Sequence, residues 1–237
     1  MKRVIVYPDA ATVAKATASR LINAIGDTLA VQERADVVLT GGTVGIQTLR
    51  EVAASPLVHT VDWSSVHLWW GDERFVPDGH ADRNEGQAHE AMIAHLPVPA
   101  ENVHRMPSTD VTDSPETAAA LYLDELGQHG DPEFDVLLLG VGPDGHVASL
   151  FPGHPVYEKS AAAVVAVLDS PKPPPVRISL GITALNRAKR VWLVAAGEEK
   201  AESIGEALRG NKHYPAAAVH GTIETVWLID VAAASKA

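Results

Sequence analysis

Residues 134–153, FDVLLLGVGPDGHVASLFPG, constrain the fold more than any other stretch. Residues 134–139 form a short apolar run with Val and Leu at adjacent positions, so neither side of a strand built from them suits water. Such a strand must be covered on both faces, as strands of parallel sheets are. Gly140, Gly142 and Gly145 follow and free the backbone to turn. Asp144 and His146 then fall just past the strand's carboxyl end, the edge of an open α/β sheet where ligands bind. An imidazole there, two residues from a carboxylate, is the strongest catalytic candidate in the chain. The plainer alternative is a tight strand-to-loop turn with a surface histidine, and this stretch alone leaves both open. Its glycines also spell G-x-G-x-x-G. The dinucleotide fingerprint needs a long helix directly after the turn, and Pro152 and Pro155 stop one from forming.

The same alternation of buried strand and helix runs along the chain. Residues 4–7 read as a first strand, and Asp9 caps a helix through Val13, Leu21 and Ile25. Residues 36–40 are a second buried strand, followed by Gly41, Gly42 and Thr43 and a helix with Ile46, Leu49 and Val52 on one face. Strand, glycine turn and helix N-terminus together make a ready anion site, or else a simple connection; no Gly-Lys-Ser/Thr makes it a P-loop. Residues 66–70 are a third strand, leading into Asp72, Glu73 and Arg74. Three consecutive charges at a strand's carboxyl end read either as a solvated loop or as acid and base groups beside a ligand. Asp82, Arg83 and Asn84 open a helix over 85–96, with Asp82 as cap and Arg83 able to turn back into a site. His89, Glu90 and His95 lack the spacing of a zinc-binding helix and read as surface residues. Residues 102–106 read as a short strand, and Ser114 with Pro115 starts a helix ending near 127–130. Strands at 163–168, 191–195 and 225–229 and helices at 182–188 and 197–208 complete the pattern, with the proline-rich segment 171–175 as a rigid connector.

This order predicts an α/β fold with a mostly parallel sheet and helices on both faces. Nothing breaks the composition, so residues 1–237 are expected to form a single domain. A net charge of −11 argues against a nucleic-acid or anionic-membrane surface, and an anionic substrate would need a local basic cluster. With no cysteine there is no disulfide, thiolate ligand or thiol nucleophile. No apolar run is long enough to span a bilayer, and the N-terminus lacks a signal peptide's apolar core, so a cytoplasmic protein is expected.

Four stretches carry a resemblance: LTGG at 39–42, WGDERFVP at 70–77 with DRN at 82–84, LLGVGPDGHVASLFPG at 138–153, and RISL at 177–180 with GEEKA at 197–201. In this order they resemble the 6-phosphogluconolactonase family, a relative of the glucosamine-6-phosphate deaminases with a three-layer α/β/α, Rossmann-like architecture. The chain departs from the family's usual SGGS with Thr40, Gly41, Gly42 and Thr43, which keeps the hydroxyls. It departs from RITLTLP with RISLGIT, beyond Arg177.

The resemblance implies hydrolysis of 6-phospho-D-glucono-1,5-lactone to 6-phosphogluconate in the oxidative pentose phosphate pathway, with no cofactor and no metal; the sequence itself shows no metal-ligand cluster. It implies His146 as general base toward water, with Asp144 either orienting the imidazole or bracing the turn. It also implies phosphate and sugar contacts drawn from Gly41, Gly42, Thr43, Asp72, Glu73, Arg74, Arg83, Asn84, Arg177 and Lys200. The partner is then a small phosphorylated sugar lactone, and the protein a monomer or weak oligomer. A deaminase or isomerase and a non-catalytic sugar-phosphate binder are the competing readings. Deaminases of the same fold continue their D-G-H turn with Phe-Asn-Glu-Pro, whereas Ser149, Leu150, Phe151 and Pro152 stand here.

Overall fold

The computed structural model describes residues 1–237. The chain runs through β1 (Lys2–Tyr7), α1 (Ala10–Leu29), β2 (Ala35–Leu39), α2 (Thr43–Ala54), β3 (Val66–Trp70), β4 (Asp72–Arg74), α3 (Asn84–Ala91) and α4 (Pro115–Gln128). It continues through β5 (Val136–Gly140), α5 (Pro155–Lys159), β6 (Val164–Val167), β7 (Arg177–Leu180), α6 (Ile182–Leu185), β8 (Arg190–Ala195), α7 (Ala201–Leu208), α8 (Pro215–Ala218) and β9 (Glu224–Asp230). Six strands form one parallel sheet in the order β1-β9-β8-β5-β2-β3. Helices flank it, with α1 and α2 packed on each other and over β5, β8 and β9. The continuous apolar runs of β2 and β8 are buried along nearly their whole length, as strands covered on both faces must be.

The helices start where their side chains can cap them. Asp9 accepts the Thr12 N–H at 2.7 Å and Ser114 accepts that of Thr117 at 3.1 Å. The expected cap Asp82 does not cap α3. Glu73 does so from another element, accepting the Asn84 N–H at 2.7 Å and the Glu85 N–H at 2.8 Å. The helix expected over 85–96 ends at Ala91 and gives way to a 3-10 turn, and α6 stops at Leu185 rather than running to Ala188. His89, Glu90 and His95 are exposed, as their spacing suggested. The strand expected over 102–106 is absent, and a single bridge between Leu68 and Val103 holds that segment.

A second sheet stands beside the first. Strands β4, β7 and β6 pair antiparallel in the order β4-β7-β6, with α4 packed on β6 and β7. The charged triplet Asp72, Glu73 and Arg74 is therefore a strand in register with Ser179, Ile178 and Arg177. That pairing carries residues of the distant 177–180 segment to the carboxyl end of β3.

Candidate active site

The turns after β2 and β5, the strand β4 and the start of the 198–208 segment enclose a polar cleft of about 300 Å3. It lies at the carboxyl edge of the parallel sheet, as ligand sites of open α/β sheets do. Thr40, Gly41, Gly42 and Thr43 form one wall, Gly140, Val141, Gly142 and His146 another, and Asp72, Arg74, Asn84, Arg177, Glu199 and Lys200 close it.

His146 is set by its own turn. Gly142 and Gly145 tie it through Gly142 N–H to His146 O at 3.0 Å and Gly145 N–H to Gly142 O at 2.8 Å. Its Nδ1 lies 2.5 Å from Asp144 Oδ1, and the ring packs 4.6 Å from the Phe151 ring. A Cβ on Gly142 would sit 2.0 Å from His146 Nδ1 and 2.5 Å from Asp144 Oδ1, so the pair requires glycine there. Lys172, from the proline segment, places Nζ 3.3 Å from Asp144 Oδ1 and 3.2 Å from His146 Nδ1. Burial pushes the Asp144 carboxyl up, but the His146 hydrogen bond and charge, with Lys172, outweigh it and hold the group well below the usual carboxylate range. Asp144 thus stays ionised and accepts the Nδ1 proton, which leaves Nε2 as the free ring nitrogen.

The opposite wall is basic. Helix α2 begins at Gly42, whose φ of 80° suits glycine, with no side chain capping its free N–H groups. Lys200 lines the cleft, and burial lowers its ammonium below the ordinary value. Arg74 donates from Nη1 to Asn84 Oδ1 at 2.7 Å and to Asp82 O, while its buried Nε has no partner in the protein. Arg177 is largely committed elsewhere: it donates to the carbonyls of Lys172, Pro173 and Pro174 at 3.2, 3.1 and 3.0 Å. Its Nη1 lies 3.9 Å from Asp72 Oδ2, which also accepts the Ser149 hydroxyl at 2.7 Å.

Ten of the twelve residues expected at the site therefore line the cleft or, for Asp144, touch His146 behind it. Glu73 and Arg83 do not. Glu73 is buried under the start of α3, and Arg83 turns away to donate to Met106 O at 2.7 Å, only 1% exposed. Both are pinned by backbone groups that burial would otherwise leave unsatisfied. Sequence reasoning missed Lys172, and nothing but a cation in a rigid proline run could have signalled it. It also missed Glu199, flagged only by its place in the GEEKA stretch.

Comparison with known proteins places the chain in a family. The family model described as glucosamine-6-phosphate isomerases/6-phosphogluconolactonase matches residues 8–227. A 6-phosphogluconolactonase of Streptomyces coelicolor is 46% identical over 99% of this chain and 94% of its own. One of Mycobacterium tuberculosis is 42% identical over 98% and 96%. Among solved structures, a 6-phosphogluconolactonase of Thermotoga maritima superposes with a TM-score of 0.87 at 26% identity, over 97% of this chain and all 100% of that one. A monomeric glucosamine-6-phosphate deaminase shares the fold at a TM-score of 0.82 and 22% identity, over 99% and 100%. The chain belongs to the glucosamine-6-phosphate isomerase/6-phosphogluconolactonase family, on its lactonase side. It is a hydrolase with a mixed α/β fold, and no helix in it is long and apolar enough to cross a membrane.

Proposed function

We propose that the cleft hydrolyses 6-phospho-D-glucono-1,5-lactone to 6-phospho-D-gluconate, the hydrolytic step of the oxidative pentose phosphate pathway, without a metal ion. The observation that carries this reading is the 2.5 Å contact of His146 Nδ1 with ionised Asp144, beside a cleft into which the same ring opens. Nδ1–H donates to Asp144, so Nε2 takes a proton from water as the water oxygen bonds to the lactone C1. When the bond from C1 to the ring oxygen breaks, the imidazolium returns that proton to the departing alkoxide. Water is consumed and one carboxylic acid and one hydroxyl are formed. The Gly140 and Gly142 N–H groups are already bonded to Thr40 Oγ1 and His146 O, so the Val141 N–H and those of the Gly41–Thr43 turn are the donors for the transient oxyanion.

The phosphate goes to the basic wall: the start of α2 with Thr43, the Lys200 ammonium and the unpartnered edge of Arg74. Asp72 and Asn84 face the sugar hydroxyls. Arg177 serves chiefly to hold the proline segment, and through it Lys172, against Asp144. Metal independence is supported by the donor set, because no three His, Asp or Glu side chains of the cleft converge as ligands. Thorough chelation should leave the hydrolytic rate unchanged, and restoration of a lost rate by added metal would overturn that part. The enzyme on this reading is cytoplasmic and acts alone or as a weak oligomer on a small molecule, with no nucleic acid involved.

The deaminase reading fails at Phe151. Its ring packs on the imidazole where the deaminases place a glutamate, and a phenyl ring can neither take up a proton nor accept a hydrogen bond as a carboxylate does. The test is a pair of assays on the pure protein, lactone opening corrected for the spontaneous rate and ammonia release from glucosamine 6-phosphate. Fast opening with ammonia at background is expected; ammonia release at a comparable rate would make this a deaminase.

A further inference from the structure

A second cluster lies at the amino ends of the same strands, on the edge of the sheet away from the cleft. His67 is the second residue of β3, whereas the cleft residue Asp72 follows that strand's other end. His104 hangs beside it through its N–H to Leu68 O at 2.9 Å, and His129 ends α4. The sequence showed no metal-ligand cluster, because these three residues come from three separate segments. The fold corrects that expectation by bringing one ring nitrogen of each within 4.8 Å of the others.

We propose that His67, His104 and His129 bind one divalent ion of the zinc class. Three imidazoles are a borderline-soft donor set that suits zinc, cobalt or nickel rather than magnesium or calcium. The geometry around His104 is that of a metal ligand with its outer partner. Glu125 Oε1 lies 2.7 Å from His104 Nδ1 and accepts its proton, which turns Nε2 toward His67 Nδ1 at 2.9 Å. Two ring nitrogens that face each other at this distance share a proton or a cation. The ring is held in place by stacking on Trp69 at 3.7 Å, and Trp69 in turn donates to Asp36 at 2.9 Å. The nearby Arg34 cation is matched by two bonds to Asp36, at 2.9 and 3.1 Å. Zinc–nitrogen bonds of ~2.0–2.1 Å at tetrahedral angles set the nitrogens roughly 3.3 Å apart, so the His67–His104 pair opens slightly while His129 moves in by about an ångström. His129 supplies that movement, since its side chain is 29% exposed at the end of α4. The bound ion would tie β3, the 103–106 segment and α4 together, leaving the fourth position to water.

The test is calorimetric titration of zinc, and of cobalt with its absorbance, into the metal-stripped full chain, with thermal melts alongside. One equivalent per chain and a raised Tm are expected. His67→Ala and His129→Ala should each weaken binding at least ~10–100-fold, with lactone hydrolysis unchanged. His146→Ala should bind as the wild type does. His67 and His129 are partly exposed, and the hydrolysis assay reports whether each variant has folded. Absence of saturable binding at micromolar metal, binding unaltered in both histidine variants, or binding lost in His146→Ala would each overturn the proposal.

Discussion

Glu73 shows how a site-like residue can belong to the scaffold. Its carboxyl is buried, and burial pushes it up to about 7, against the pull of Arg83 and of the Glu85, Asn84 and Arg74 N–H groups. A carboxyl raised in the folded state binds a proton there that the unfolded chain has already lost above its ordinary value of 4.5. Stability from this group is therefore full below about pH 4.5 and falls as pH rises toward 7, by about 3 kcal/mol at 1.36 kcal/mol per unit. Melts across this range should show the wild type losing stability relative to Glu73→Gln as pH rises; a pH-independent difference would mean the carboxyl is not raised. Gly142 makes the opposite point, since a backbone position serves the chemistry. Gly142→Ala forces His146 or Asp144 to move by an ångström or so, and a misplacement of that size lowers kcat about 10²-fold. Both residues stood out in the sequence, the glycine as a turn and the glutamate as a charge. Only the fold shows that the glycine guards the imidazole while the glutamate caps a helix.

Most elements were legible, because strands buried on both faces read as unbroken apolar runs and the cap residues preceded their helices. The second sheet was not. A three-residue strand of Asp, Glu and Arg has neither apolar pattern nor β-propensity, and only its pairing with β7 makes it a strand. The same pairing explains why Arg177 reads as a phosphate ligand in sequence yet spends three hydrogen bonds on the proline segment. The two cations should therefore behave differently. Lys200→Ala should raise KM for the phosphorylated lactone about 10–100-fold, the worth of a charge-assisted hydrogen bond of ~1.5–3 kcal/mol. It should hardly change turnover of unphosphorylated gluconolactone. Arg177→Ala should lower kcat for both lactones, because it frees the segment that carries Lys172. Steady-state kinetics on the two substrates decide this, and equal damage to both from Lys200→Ala would remove Lys200 from the phosphate site.

At the scale of the whole molecule, the sequence predicts a parallel sheet but not its order. The arrangement β1-β9-β8-β5-β2-β3 places β5 between β8 and β2, so the turns after β2 and β5 open side by side. That adjacency makes one cleft of a glycine turn and a histidine turn that lie about a hundred residues apart in the chain, joined where Thr40 Oγ1 accepts the Gly140 N–H at 3.1 Å. The proposed hydrolysis rests on His146 acting as base in that cleft. The direct measurement is hydrolysis of 6-phospho-D-glucono-1,5-lactone by His146→Ala beside the wild type, corrected for spontaneous opening, with binding of 6-phosphogluconate followed in the same preparation. General-base assistance is worth 10²–10⁴-fold, so a loss of roughly 3–5 kcal/mol in the barrier is expected with product binding retained. Turnover near the wild-type rate in a folded, product-binding variant would contradict it.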